Sequence, residues 1–537
     1  MFPLISRSPP FLIKKHLLIL KEVVQLAWPV VLTNLLQTLV SIVDTLMVGR
    51  LGPIALAAVG ISNAFRLLVL VALLAVSAGS MSLISQARGA RDPARMSFVV
   101  RQAIISGILI SIPLAFIGYF GARPILSLVN AGGNPQATEL GISYLQLLFL
   151  GTPFLVLNLI INRIMQGAGD TITPLVLTGS LNVLNIIFNY IFIFGLGPIP
   201  AFGLDGAAMG TVIARLMGVV IAVVIIRSGR NLLKFRVPNA PASWWPDWQM
   251  IWDILAIGVP SGLQGIIRNG ARLLTIGIVT STEVGSLGAA ALAIGVQVES
   301  LGVLPVLGIN VASTSLVGRA LGKWQTDEAR ERGTIAILLG VCIMIILVIP
   351  MVIFAPQIIK LFDPSADATL LAAGVAYMRI NTVVLPIGAI SMVANGALRG
   401  AGDTKPGMYA AITTLICIAI PLSWLLAHPL GFGSTGVWYA LALGIVTNGT
   451  ILAFRWRSDK WVQVALDKAE IYRHHLRHLP QDEIDRFLDE VRRPEMAQAG
   501  MVELVREDRV IYQAFEHETT YLFSNGSFEK VSEKVTG

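Results

Sequence analysis

Asp44 is the only acidic residue in the apolar run from 23 to 48 of this 537-residue chain. A charge inside a bilayer costs at least ~2.5 kcal/mol on insertion scales, so such a group usually faces a cavity or a partner. Ion coupling is the chemistry it offers, because a carboxyl in a dry site is held neutral and ionises when water enters. A second polar set lies at Asn182, Asn185 and Asn189, of which Asn185 and Asn189, four apart, share a helical face. Their amide oxygens suit hydrogen bonding to a protonated Asp44 or coordination of a hard cation such as sodium. Two other readings stand beside this one: Asp44 paired with Arg50 or Arg66, and the asparagines as packing glue between helices. In the second half Glu299, within AIGVQVESLG, is the clearest intramembrane acid. With Gln297, Gln264, Arg268 and Arg379 it lines a cleft or forms a structural ion pair. Asn34 and Gln37 are the polar residues of the first run placed to contact an amphipathic small molecule.

The elements that position these groups must cross a membrane. Hydrophobic residues make up 55% of the chain and charged residues 13%, where a soluble protein carries about 25% charged residues. A bilayer core needs about 20 apolar residues of helix. That window places spans near 23–48, 55–84, 98–121, 141–165, 173–196 and 207–226, then near 254–279, 289–317, 334–356, 371–398, 407–427 and 436–454. The expected fold is therefore an all-α integral membrane protein of twelve transmembrane helices in two six-helix bundles. Its parts are an N-terminal segment (1–22), an N-lobe (23–226), a basic linker (227–250), a C-lobe (251–457) and a soluble α+β module (458–537). Lys and Arg crowd one set of loops, with Arg88, Arg91 and Arg95, Arg227 to Arg236, Arg319 to Arg332, and Arg399 with Lys405; the opposite loops hold Arg50, Arg123 and Lys360. The positive-inside rule then makes both termini cytoplasmic, and the formal charge of +8 reads as orientation and attraction to anionic lipid, not as nucleic-acid binding.

The two halves repeat each other. The string GAGDT occurs at 167–171 and at 400–404, an offset of 233 that also relates SLISQARGA (82–90) to SLVGRALGK (315–323), and Tyr144 and Pro153 to Tyr377 and Pro386. A six-helix unit returns the chain to its starting side, so the copies are parallel repeats about an axis along the membrane normal. Gly167, Gly169 and Asp170, with Gly400, Gly402 and Asp403, read as a tight helical hairpin turn on the basic side, with glycine past one helix end and Asp or Thr capping the next.

Taken in order, AWPVVLTNLLQTLVSIVDTLMVGRLGPIALAAVG (27–60), MQGAGDTITP, LNIIFNYIFIFGLG (184–197), LDGAAMGT (204–211), VGRALGK and LRGAGDTKP resemble the multidrug and toxic compound extrusion (MATE) family over roughly residues 20–457. The resemblance implies a secondary active exporter of small amphipathic, often cationic compounds. It implies coupling to inward proton or sodium flow, with no other cofactor, and two lobes alternating between outward and inward openings. It also makes an acid at the place of Asp44 central to coupling, with Thr211 as a further member of the cluster. Many members have Asp where this chain has Asn189, which leaves Asp44 as the principal titratable group of the N-lobe; the region near Thr275–Thr280 in the second half has no acid. The expected setting is the cell membrane, as a monomer in contact with lipid and a small-molecule substrate.

The final 79 residues are different material, holding 16 of the chain's 32 acidic residues. PQDEIDRFLDEVRR (480–493) has helical periodicity, and RVIYQAFE with TTYLFSNGSFEKV reads as strands turning at Asn525–Gly526. This module is expected to regulate, to dock an unknown protein partner or to stabilise. His474, His475 and His478 lack the further ligands a metal site needs. No nucleophile–base set, metal set or phosphate-cradling loop points to an enzyme. Two other functions fit a polytopic chain: a flippase of lipid-linked or polysaccharide intermediates, which a large arginine-rich cavity favours, and a membrane-anchored sensor acting through the terminal module.

Overall fold

The computed structural model describes residues 9–129, 134–228 and 245–465, and the strands lying between 501 and 533. The chain divides into two compact units, Met1–Ala465 and Leu466–Gly537. Among the described residues the regular elements of the first unit are helices: α1 (Pro9–Gly49), α2 (Pro53–Gly89), α3 (Pro93–Val129), α4 (Pro135–Leu150), α5 (Thr152–Gly167), α6 (Ile172–Phe194) and α7 (Gly203–Arg227) form the first half. The second half runs through α8 (Trp248–Thr280), α9 (Gly285–Gly322), α10 (Thr326–Ile353), α11 (Ala355–Phe362), α12 (Ala368–Asn381), α13 (Leu385–Gly400), α14 (Lys405–Ala411), α15 (Ile420–Ala427) and α16 (Gly433–Arg457). Among the described residues ten helical segments are long and apolar enough to cross a bilayer, and α4 with α5, bent by 51°, supply an eleventh. Helix α1 begins at Pro9, well before the start of the expected first span.

Local chemistry explains the boundaries. Pro53, Pro93 and Pro135 open their helices, where a missing N–H costs nothing. Asn134, Asp247 and Asp367 cap α4, α8 and α12 by accepting from backbone N–H groups at 2.9, 2.8 and 2.7 Å. The break between α4 and α5 precedes Pro153, and a short 3-10 turn (Thr382–Val384) between α12 and α13 precedes Pro386. The same proline thus interrupts the same helix in both copies, by removing a backbone donor. Between α14 and α15 the backbone widens to a π-helix over Ile412–Ala419.

The halves meet along the side that carries the 228–245 connection, here called the linker side. A Cβ on Gly89 would lie 2.1 Å from the Arg319 carbonyl oxygen, and one on Gly322 would lie 2.0 Å from that of Gln86. Gly89 and Gly322 are related by the repeat offset, as are Gln86 and Arg319. Residue i of one copy touches j of the other and the converse holds, which is the mark of a two-fold relation. Deeper in, a Cβ on Gly79 would reach the Ile254 oxygen at 2.0 Å and one on Gly258 the Ala75 oxygen at 1.8 Å, so α2 and α8 cross with their backbones in contact. Gln86 Nε2 donates to Gly400 O at 2.9 Å and Ser315 Oγ to Gly167 O at 3.2 Å. Ile19, Val23 and Ala27 of α1 pack with residues of α9, α10 and α13 in one shared core, and Lys15 pairs with Glu331.

Away from the linker side each half keeps its own core. Val48, Ala58, Tyr144, Leu148, Ile193 and Ala208 form one, and Val279, Leu292, Met351, Ile359, Tyr377 and Trp438 form another. Joined cores at one end and separate cores at the other describe two lobes closed on the linker side.

The two GAGDT turns share a backbone and differ in their aspartates. Gly169 and Gly402 take φ of +87° and +77°, the left-handed region that glycine tolerates. Asp170 caps α6 as expected, accepting from Thr173 N at 2.9 Å and Thr173 Oγ1 at 2.6 Å. Asp403 departs from that expectation: its Oδ2 accepts from Arg455 Nε at 2.9 Å and Nη2 at 2.6 Å, tying the turn to α16. A guanidinium within reach outcompetes a single backbone N–H for a buried carboxylate.

The second unit holds β1 (Met501–Arg506), β2 (Arg509–Ala514), β3 (Thr519–Ser524) and β4 (Ser527–Glu533) as an antiparallel meander in the order β1-β2-β3-β4. Val510 pairs with Phe523, and an irregularity falls between Thr520 and Tyr521. The helix expected over 480–493, the Asn525–Gly526 turn and His474, His475 and His478 lie outside the described residues.

Three outcomes test this account. With Cys342 and Cys417 replaced by alanine, a cysteine at Ser85 in the seam should react at least tenfold faster with an impermeant maleimide once Gly258→Val is added. Asp170→Asn should leave thermal stability nearly unchanged, since Asn caps as well as Asp. Asp403→Asn should cost about 1.5–3 kcal/mol by leaving Arg455 without its charged partner, read as a lower melting temperature in detergent.

Candidate functional site

Helices α1, α6 and α7 bring four polar side chains into one hydrogen-bonded chain. Asn189 Nδ2 donates to Asp44 Oδ1 at 2.9 Å and lies 3.3 Å from Asn185 Oδ1, while Asn185 Nδ2 donates to Thr211 Oγ1 at 3.3 Å. Thr211 passes its own proton back to Ala207 O at 2.9 Å. Asn189 is 1% exposed and Asn185 4%, so water does not supply what these bonds omit. Asn189 Oδ1 is buried without a hydrogen-bond partner, an acceptor whose desolvation is uncompensated.

Glycines on α7 make the approach possible. A Cβ on Gly206 would fall 2.2 Å from Phe192 O, and one on Gly210 would fall 2.3 Å from Asn189 Oδ1 and 2.7 Å from Asn189 N. This small-xxx-small face in LDGAAMGT lets α7 lie against the α6 backbone, which seats Thr211 beside Asn185. Chemically the cluster offers a carboxylate and an unsatisfied amide oxygen close together. Such a set accepts a proton or a hard cation, and Asp44 is its only member that changes charge.

In the second lobe Tyr377 Oη donates to Glu299 Oε2 at 3.1 Å, while Glu299 Oε1 is buried and has no hydrogen bond. The charge that acts on Glu299 is that of Arg272 on α8. The expected grouping of Glu299 with Gln264, Arg268 and Arg379 is therefore corrected. Arg379 lies two residues past Tyr377, on another face of α12, and is exposed with no ion pair to Glu299. Gln264 Oε1 instead accepts from Asn395 Nδ2 at 2.7 Å, joining α8 to α13. Arg268 lies instead within electrostatic reach of Arg399, on which the charge of Arg163 also acts.

Between the lobes a cavity of about 650 Å³ is lined by Asn34, Gln37, Thr38, Ser41 and Thr45 of α1 and by Gln297, Ser300 and Leu304 of α9. Asn34, Gln37 and Gln297 thus fall together on one surface. Thr38 and Thr45 satisfy their hydroxyls on the carbonyls of Asn34 and Ser41 at 3.1 and 2.8 Å. Sequence reading missed Thr38, Ser41 and Thr45, although their helical spacing continues the Asn34 stripe. It also passed over Asn395, whose counterpart at the repeat offset is Asn162, and Tyr377, whose hydroxyl was signal enough.

A family model, MatE, matches residues 29–191 and 260–425, more than half of the chain. The chain belongs to the MATE family. A probable multidrug resistance protein NorM of Thermotoga maritima is 28% identical over 452 residues, covering 83% of this chain and 94% of that protein. An uncharacterized transporter, YisQ, of Bacillus subtilis is 28% identical over 448 residues, covering 82% and 94%. A solved outward-facing MATE transporter of the MOP superfamily superposes with a TM-score of 0.75 at 23% identity, over 83% of this chain and 96% of that one. The MATE assignment makes the chain a multi-pass membrane transporter of the multidrug-efflux type, and the family is not an enzyme class.

In this MATE chain Gly210→Ala should push Asn189 away from Asp44, because the added methyl meets both its amide oxygen and its backbone. Overpacking of this kind costs about 1–3 kcal/mol. The expected readout is a lower melting temperature together with impaired transport, and Gly277→Ala, whose Cβ would meet nothing within 4 Å, should be silent in both.

Proposed function

We propose that this protein is a secondary active exporter of small amphipathic compounds, driven by inward proton or sodium flow through the Asp44 cluster. The observation that carries the reading is the bond from Asn189 to Asp44, an acid held by a buried amide within apolar helices. When Asp44 is protonated or ion-bound, its charge is cancelled and the first lobe can close around it. When it is ionised, the site favours access to water.

Closure on the linker side, with separate lobe cores and a polar cavity beyond, supports an outward-open state. The basic loops and both termini are then cytoplasmic by the positive-inside rule. Helix α2, 37 residues long, supports a twelfth span beside the eleven segments already counted, for six per lobe. The strands with the helical pattern at 480–493 support a small α+β terminal module. Cations are the substrate class to test first, as the resemblance implies, and the protein acts as a monomer in the cell membrane.

Reconstituted vesicles with an imposed pH or sodium gradient provide the test, with ethidium as the transported cation. Wild-type protein should move ethidium with one of the two gradients, and Asp44→Asn should reduce that flux at least tenfold while the protein still folds. Full gradient-coupled flux in the variant, or wild-type flux indifferent to both gradients, overturns the mechanism.

A further inference from the structure

Three arginines lie where the two lobes meet and take no part in the ion site. Arg163 stands on α5 in the first lobe, and Arg268 and Arg399 stand on α8 and α13 in the second. Arg399 lies within electrostatic reach of both Arg163 and Arg268, which places the three residues along one stretch of the lobe boundary.

Helix geometry accounts for the placement. Gln264 and Asn395 are hydrogen-bonded at 2.7 Å, and each is followed four residues later, one turn along, by Arg268 or Arg399. Helical side chains lean toward the N-terminus of their own helix. On helices running in opposite directions, that lean aims Arg268 and Arg399 back toward the pair from its two sides. Arg163 sits one residue past Asn162, the counterpart of Asn395, which puts it at the matching level in the other lobe.

No carboxylate forms an ion pair with any of the three among the described residues. Arg163 Nη1 donates to Gln166 Oε1 at 3.1 Å, and Arg399 Nε is buried without an acceptor. Arg163 and Arg399 are half-buried and Arg268 is exposed, so the group retains an open side. Three permanent cations in a low-dielectric region repel one another. Planar guanidinium groups with unused N–H donors match one chemistry above others, an oxyanion bound in bidentate fashion.

We propose that Arg163, Arg268 and Arg399 form a binding site for the anionic group, a phosphate or a carboxylate, of an amphipathic molecule held between the lobes. The proposal rests on the exporter reading and widens its substrates from cations to zwitterions and anions. It also gives the ligand a mechanical role. Arg163 belongs to one lobe and the other two to its neighbour, so a bound anion cancels repulsion across the boundary. Gly167 and Gly400, the carbonyls that close the linker-side seam, lie four residues and one residue beyond Arg163 and Arg399. A bound anion would thus favour a closed seam.

The test uses full-length protein in phosphatidylcholine nanodiscs, titrated with dansylglycine and with its methyl ester, a pair that differs by one negative charge. Wild-type protein should bind the acid at least tenfold more tightly than the ester. Arg399→Gln and, independently in the other lobe, Arg163→Gln should each remove that preference, and Arg399→Lys should keep part of it; each variant is checked for monodispersity and helical content. Equal affinity for acid and ester, no binding of either, or a preference that survives both glutamine variants overturns the proposal. If phosphatidylglycerol in the disc competes with dansylglycine in wild type and not in Arg399→Gln, the site takes a lipid headgroup. Competition by inorganic phosphate assigns it to a free anion, and an acid preference with neither competitor assigns it to the carried substrate. Gradient-driven ethidium flux is measured separately on the wild type: its loss sinks the exporter reading, whereas a lost acid preference with flux intact sinks only the anion site.

Discussion

Backbone meets backbone where α2 crosses α8 and where the ends of α2 and α9 cross, and the residue at each crossing lacks a Cβ. Gly79, Gly89, Gly258 and Gly322 each face a carbonyl oxygen closer than any side chain would permit. Inside a membrane there is no hydrophobic drive between helices, so close packing and interhelical hydrogen bonds must hold them. Those contacts are confined to the linker side. Their confinement leaves each lobe to build its own core farther along, and the cavity beside α1 and α9 is the space that results.

The polar groups follow from the same geometry. Asp44 is tolerable in its span because α7, flush against α6 through Gly206 and Gly210, fixes Asn189, which meets it, and Asn185 behind it. Glu299 has a weaker settlement: one phenol hydroxyl on one oxygen, and a buried second oxygen without a hydrogen bond. The first lobe distributes its polar cost over a chain of four residues; the second concentrates it on a pair.

Much of this was legible in the sequence because a bilayer imposes a coarse grammar. Apolar runs of helical length, an internal offset of 233 residues and a lone acid in an apolar run gave the lobes, the parallel repeat and the choice of Asp44. Asn185 and Asn189 were accessible as polar residues at helical spacing, and Thr211 through the family resemblance of LDGAAMGT. What failed were partnerships between residues far apart in the chain. Arg455 with Asp403, Asn395 with Gln264 and Tyr377 with Glu299 join helices 52, 131 and 78 residues apart, and no local pattern selects one partner among several polar residues at similar depth. Arg379 illustrates the limit: as a charged residue of an apolar run it was grouped with Glu299, and it stands exposed on a face of α12 other than that of Tyr377, which bonds Glu299.

Duplication explains why the arginines differ between the two halves. The two copies share what geometry demands: a glycine where the ends of α2 and α9 cross, a proline at the bent span, a left-handed glycine in each turn. None of these elements requires a charge, so charge is free to diverge between copies. At the offset of 233, Arg163 stands opposite Gly396 and Arg399 opposite Gln166, while the asparagines beside them, Asn162 and Asn395, match. Each lobe therefore brings its arginines from a different register of the same scaffold, and they meet only because the lobes assemble about a two-fold axis. Symmetric packing thus supplies the place, and asymmetric substitution supplies a positive field that neither copy carries alone.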